Sequence, residues 1–159
     1  MEPLLKVENL RIELKTRAGV APVIDNLSFE LGRNESISFV GESGCGKSMT
    51  ALAIMGLLPE GIGRIASGKI LFDGEDLTQA SESRLRDLRG NEISMIFQDP
   101  MTSLNPTMTI GRQITEMLEL HLDMTTTQSK ARAIELLDIV GIPQPIERFS
   151  QYPIEFSGG

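Results

Sequence analysis

Residues 41–48 read Gly41-Glu42-Ser43-Gly44-Cys45-Gly46-Lys47-Ser48, the phosphate-loop pattern G-x-x-x-x-G-K-[ST]. Each fixed position has a physical task. Glycines let the main chain wrap around an anion with its N–H groups turned inward. A helix starting at the end of the loop adds its unpaired amides and the positive end of its dipole. Lys47 reaches the β- and γ-phosphates, and Ser48 offers a hydroxyl to Mg²⁺. The flanks agree. Ser36-Ile37-Ser38-Phe39-Val40 is a β-rich run leading in, and Met49 to Leu57 is a largely apolar helical run leading out. Strand, loop, helix is the order that separates this motif from a glycine-rich turn without a ligand. The candidate cofactor-binding set is Gly41, Glu42, Ser43, Gly44, Cys45, Gly46, Lys47, Ser48, Met49 and Thr50, for ATP and Mg²⁺.

The bulk properties narrow the remaining choices. The chain has 159 residues, 40% hydrophobic and 23% charged, enough for one domain with a core. A net charge of −7 without a basic stripe argues against a nucleic-acid partner. An anionic ligand must therefore be met by local positive potential, from Lys47 and the helix N-terminus. The single cysteine, Cys45, forms no disulfide within the chain, which fits a reducing compartment. In the loop it fills a place that needs a small residue. The opening Met1-Glu2-Pro3-Leu4-Leu5-Lys6 has no signal-peptide pattern. No apolar run approaches the roughly 20 residues of a membrane span, so a role at a membrane would run through a partner.

Along the chain, Leu4–Leu14 alternates loosely and predicts one or two strands, and Val23–Leu31 predicts another. Gly32-Arg33-Asn34 is a tight turn in which Asn34 takes a left-handed backbone. A strand at 36–40, the loop and a helix over 47–57 follow, broken at Pro59-Glu60-Gly61. A strand is expected over 68–73, a polar helix over Glu82–Leu88 closed by Gly90, and a buried strand over Ile93–Phe97 ending at Gln98. The remainder reads as helical. Ile110–His121 has Thr109 as N-cap, Thr127–Val140 is ended by Gly141 and Pro143, and a short helix spans Ile146–Ser150. His121, the only histidine, sits at a helix end, and Met95, Met108 and Met117 read as core fillers.

The combined motifs identify a family. The phosphate loop, a strand ending in Gln98, helices, and then Phe156-Ser157-Gly158-Gly159 resemble an ABC-type ATPase subunit. Phe156 stands where that family's signature carries leucine, and the sequence stops before its glutamine. Phe97-Gln98-Asp99-Pro100-Met101-Thr102-Ser103-Leu104-Asn105-Pro106 and Tyr152-Pro153 resemble the ATPases of dipeptide, oligopeptide and nickel uptake systems, across essentially the whole chain. The resemblance implies an α/β fold. It comprises a P-loop NTPase core with a mixed sheet and N-terminal antiparallel strands (1–98), then an ABC-type helical subdomain (99–159), truncated before the Walker B strand. It implies that Lys47 and Gln98 are catalytic, with Gln98 and Ser48 near the metal. Ser157, Gly158 and Gly159 would cap the nucleotide of a partner subunit. The implied partners are inner-membrane permease subunits, a second ATP-binding subunit and, indirectly, a solute-binding protein. The implied location is the cytoplasmic face of a bacterial or archaeal plasma membrane. The cargo is not identified by these residues, because it is chosen by other chains.

Three departures qualify the resemblance. Leu14 stands where the family stacks adenine on an aromatic ring, so Phe29 or a neighbour is expected to substitute. Asn34 replaces the usual glycine before Glu35. The aspartate and glutamate carboxylates that the family uses for metal and water do not occur within residues 1–159. These residues alone are expected to bind nucleotide at most, and to be marginal in isolation because unpaired strand edges and apolar surface remain exposed. A non-catalytic nucleotide-binding or regulatory fragment that pairs with an intact subunit is the alternative reading.

Overall fold

The structure, a computed structural model, describes residues 2–97 and 103–156. The chain divides into two compact units, Met1–Met95 and Ile96–Gly159.

The first unit is built on a four-stranded antiparallel sheet of order β2-β1-β3-β4. Its strands are β1 (Leu5–Thr16), β2 (Gly19–Leu31), β3 (Gly63–Phe72) and the short β4 (Glu75–Asp76). Helix α1 (Lys47–Ile54) follows the phosphate loop and α2 (Glu82–Leu88) follows β4. The loose alternation in β1 has a structural cause. Val7 and Leu10 are both buried although they are an odd number of positions apart, which a regular strand would place on opposite faces. Asn9, at φ 47°, is a bulge residue that restores the phase. Its amide leaves the ladder and donates to Ser28 Oγ at 2.8 Å. The irregularity continues into both neighbours, with Asn26 of β2 at φ 57° and Gly68 of β3 at φ 93°. The resulting core packs Val7, Leu10, Ile12, Ile24 and Ile70 of the sheet with Ala53, Leu77 and Leu88.

Two expected strands do not form among the described residues. Ser36–Val40 has no ladder partner, and Val40 is 95% exposed. Ile93–Phe97 makes one isolated parallel bridge, Arg89 to Ile93, and Ile96 is 98% exposed. Both runs have β-type composition, but a strand is a property of a pair. Without a neighbouring ladder, side-chain preference alone does not order the backbone. Helix α1 is also shorter than expected, ending at Ile54 with a left-handed Gly56 (φ 64°) beyond it.

The second unit carries α3 (Ile110–Leu122), α4 (Thr126–Ile139), the short α5 (Pro145–Arg148) and a 3₁₀ turn at Pro153–Glu155. Thr109 caps α3 by accepting from Arg112 N–H. Thr125 and Gln128 form a capping box at α4. Ile110, Thr115, Leu118, Ala133 and Leu137 are buried. Ser129, fully buried, donates to Glu119 Oε1 at 2.9 Å across the α3–α4 pair. Gly111 N–H donates to Phe149 O at 2.8 Å, so the chain after α4 returns to the start of α3. No described helix is long and apolar enough to cross a membrane.

Two predictions follow from the sheet. A Cβ on Gly68 would lie 2.5 Å from Asn9 O and 2.6 Å from Leu10 Cα, at a positive φ. Gly68→Ala is therefore expected to cost about 2–4 kcal/mol, read as a lower thermal or urea midpoint. Glu13 accepts from Arg64 Nη2 at 2.7 Å and from Arg11 Nε at 3.1 Å. Those bonds, Arg64's first, hold its carboxyl below its ordinary 4.5. Its stabilising contribution is complete above the unfolded carboxylate value and disappears as pH falls through the depressed folded value. Melting midpoints measured across the acid range should fall less steeply for Glu13→Gln than for the parent chain.

Candidate functional site

The phosphate loop leaves Val40, passes through Gly41–Gly46 and enters α1 at Lys47. Its shape is fixed from below by β2. Gly46 is the N-cap of α1 at φ 95°, a left-handed conformation unsuited to residues with a Cβ. A Cβ there would stand 2.2 Å from Ile24 Cδ1 and 3.3 Å from Val23 O. The loop thus sits directly on the sheet at a residue with no side chain to interpose. Thr50, almost fully buried, locks the junction, since its N–H and its hydroxyl both donate to Gly46 O, at 2.9 and 3.1 Å.

The absence of a side chain at the N-cap has an electrostatic consequence. Caps are usually serine, threonine, aspartate or asparagine, whose oxygens satisfy the first free amides. Gly46 makes no side-chain cap bond, and the first turn of α1 carries no acidic residue. The amides of Lys47, Ser48 and Met49, which precede the first helical bond at Thr50, remain directed toward the loop. Lys47 is drawn over the same space. Its Nζ donates to Gly41 O at 2.6 Å and Glu42 O at 2.8 Å, and lies 3.4 Å from Cys45 Sγ. A cation held above free amides is the donor set a polyphosphate requires. Ser48, exposed on the first turn of α1, presents a hydroxyl suited to a hard divalent cation.

A cleft of about 310 Å³ adjoins the loop, lined by Val23–Leu27 of β2 and by Phe39, Val40, Cys45, Gly46, Lys47 and Thr50. These β2 residues, Ile24 above all, were not among the sequence candidates. Ile24 has the signature of an ordinary core residue and becomes part of the site only through contact with Gly46. The structure brings Gly41 to Thr50 together in one loop and helix start. Gln98, Ser157, Gly158 and Gly159 lie outside the described residues. Leu14 packs at the strand end, with a Cδ 3.3 Å from the position of a Cβ on Gly63. Phe29 is engaged edge-to-face with Phe39, ring centroids 5.0 Å apart.

Comparison with known proteins gives a consistent result. A family model described as ABC transporter matches residues 24–159. The oligopeptide transport ATP-binding protein OppD of Bacillus subtilis (strain 168) is 51% identical over 98% of this chain and 44% of its own length. The dipeptide transport ATP-binding protein DppD of the same organism is 46% identical over 100% of this chain and 48% of its own. The peptidoglycan transport ATP-binding protein YejF of Agrobacterium fabrum is 49% identical over 99% of this chain and 29% of its own. The chain thus spans less than half the length of these relatives. Among solved structures, the ATP-binding cassette MJ0796, a dimer in a post-hydrolysis state bound to ADP and Pi, superposes with a TM-score of 0.81 at 21% identity. That match covers 96% of this chain and 63% of MJ0796, which establishes the fold.

Cys45 provides a direct probe of the loop, being the only cysteine and exposed beside Lys47 Nζ. Complete alkylation with N-ethylmaleimide is expected to abolish nucleotide binding by filling the loop mouth. A modified chain that binds a fluorescent ATP analogue as well as the unmodified one would exclude Cys45 from the site.

Proposed function

Because the chain belongs to the ABC transporter family, we propose that residues 1–159 form the nucleotide-gripping part of an ATP-binding subunit that drives uptake of peptides or a related solute. The observation that carries this reading is the loop itself. Free amides at an uncapped helix N-terminus lie beneath an ammonium held by the carbonyls of Gly41 and Glu42. The 51% and 46% identities to oligopeptide and dipeptide transport proteins favour peptides as the solute class.

In this reading the amides of Gly44 and Gly46 to Ser48 bind the phosphate chain and orient it along the axis of α1. Lys47 transfers its hydrogen bonds from loop carbonyls to the β- and γ-phosphate oxygens, where charge builds up as the terminal phosphoryl leaves. Ser48 would offer its hydroxyl to the metal. Mg²⁺, when bound, would neutralise charge on the same oxygens. Gln98 has an amide that both donates and accepts, which suits it to orient water. Ser157, Gly158 and Gly159 face the nucleotide of a second ATP-binding subunit. The complex docks on permease subunits at the cytoplasmic face of the plasma membrane and receives solute from a binding protein.

The test is nucleotide affinity, measured with a fluorescent ATP analogue and Mg²⁺. Lys47→Ala removes a charged donor and is expected to weaken binding about 10- to 100-fold. Equal affinity of the parent and Lys47→Ala chains would refute the site.

A further inference from the structure

Helix α1 carries no basic residue in its last turn. Its C-terminal end is nevertheless capped. Gly56 N–H donates to Ala53 O at 3.1 Å and Leu57 N–H to Leu52 O at 2.8 Å, the paired bonds of a Schellman motif. Two further carbonyls, of Met55 and Gly56, are taken by one side chain from far along the sequence. Arg89, at the end of α2, donates from Nε to Met55 O at 2.8 Å and from Nη2 to Gly56 O at 2.9 Å. Its third arm donates from Nη1 to Glu82 Oε1 at 2.6 Å. That bond holds the Glu82 carboxyl below its ordinary range. The Arg89 side chain is only 21% exposed, and a Cβ on Gly56 would lie 2.8 Å from Leu85 Cδ1 and 3.0 Å from Arg89 Nη2.

From this geometry we infer that Arg89 is a positioning residue for the phosphate loop, acting through α1. A rigid helix transmits the placement of its C-terminus to its N-terminus, and the N-terminus of α1 is the loop. The planar fork fixes both distance and direction, which a single-point cation does not. Its positive charge also sits against the negative end of the dipole whose positive end faces the phosphates. The other end of α1 is held by Gly46 against Ile24 and by Thr50. Arg89 therefore supplies the second fixed point that stops α1 from tilting about the first. This role rests on the nucleotide-binding reading above, whereas the clamp on α1 does not.

The experiment uses the full chain, with Arg89→Ala, Arg89→Lys and, as control, Arg84→Ala. Arg84 is also on α2 but pairs with Glu75. Amide exchange reports the clamp without any ligand, and a fluorescent ATP analogue with Mg²⁺ reports the loop. For Arg89→Ala, the amides of Met55, Gly56 and Leu57 should exchange about tenfold faster while those of β1 and β3 do not change. Affinity should fall about fivefold. Arg89→Lys should recover part of the affinity, because the charge survives and the fork does not. Arg84→Ala should match the parent in both measurements. Unchanged exchange and affinity in Arg89→Ala would overturn the inference. Equal acceleration across the whole sheet would also overturn it, since that marks general destabilisation. If the parent chain binds no nucleotide, the functional reading fails, and the exchange data alone decide whether the clamp exists.

Discussion

The arrangement depends on the close approach of Gly46 to Ile24. At that point the backbone of the phosphate loop rests on a side chain of β2, with no Cβ between them. The contact settles several features together. It forces a left-handed N-cap, removes the side chain that would otherwise satisfy the first amides of α1, and ties the loop to the β1–β2–β3 ladder. An anion site built of main-chain amides has no side chains to adjust it. Its precision comes from whatever holds the main chain, and here that is a core isoleucine and the two bonds from Thr50 to Gly46 O.

The sheet beneath shows how a small irregularity is shared. Asn26, Asn9 and Gly68 have positive φ on three adjacent strands. The extra residue in β1 brings Val7 and Leu10 onto one face, opposite Phe29 and Leu27, but a bulge confined to β1 would leave Asp25 opposite Ile12. Because β2 carries its own irregularity beyond Leu27, Ile12 pairs with Ile24, and apolar positions stay in register on one face. Ile24 is thereby brought below the loop. The bulge line sets the phase of the residue that shapes the phosphate site.

The features legible in the sequence were those encoded over a few residues. The loop motif, the cap at Thr109, the turn at Asn34 and the extents of α2 and α3 all depend on neighbours close in the chain. The runs Ser36–Val40 and Ile93–Phe97 were misread because composition reports willingness to pair and not the presence of a partner. Val40 and Ile96 are almost fully exposed, so their apolar character is not satisfied within the described residues. The loose alternation of β1 was visible, but its cause lay in β2 and β3. Ile24 and Arg89 carried no local signal, since each acquires its role from a contact with a distant segment.

The electrostatics of α1 bring these points together. The helix has no acidic residue in its first turn and no basic residue in its last, so its own sequence does nothing to offset its dipole. The chain as a whole has a net charge of −7, which would repel a polyphosphate at long range. Attraction must then be local, and local fields are strongest where charge is fixed and poorly hydrated. At one end are uncapped amides with Lys47 above them. At the other, Arg89 from α2 covers the carbonyls, and Glu82 balances its charge at a distance from the loop. The polarity of this helix is thus assigned by its tertiary partners, which leaves its first turn open to a ligand.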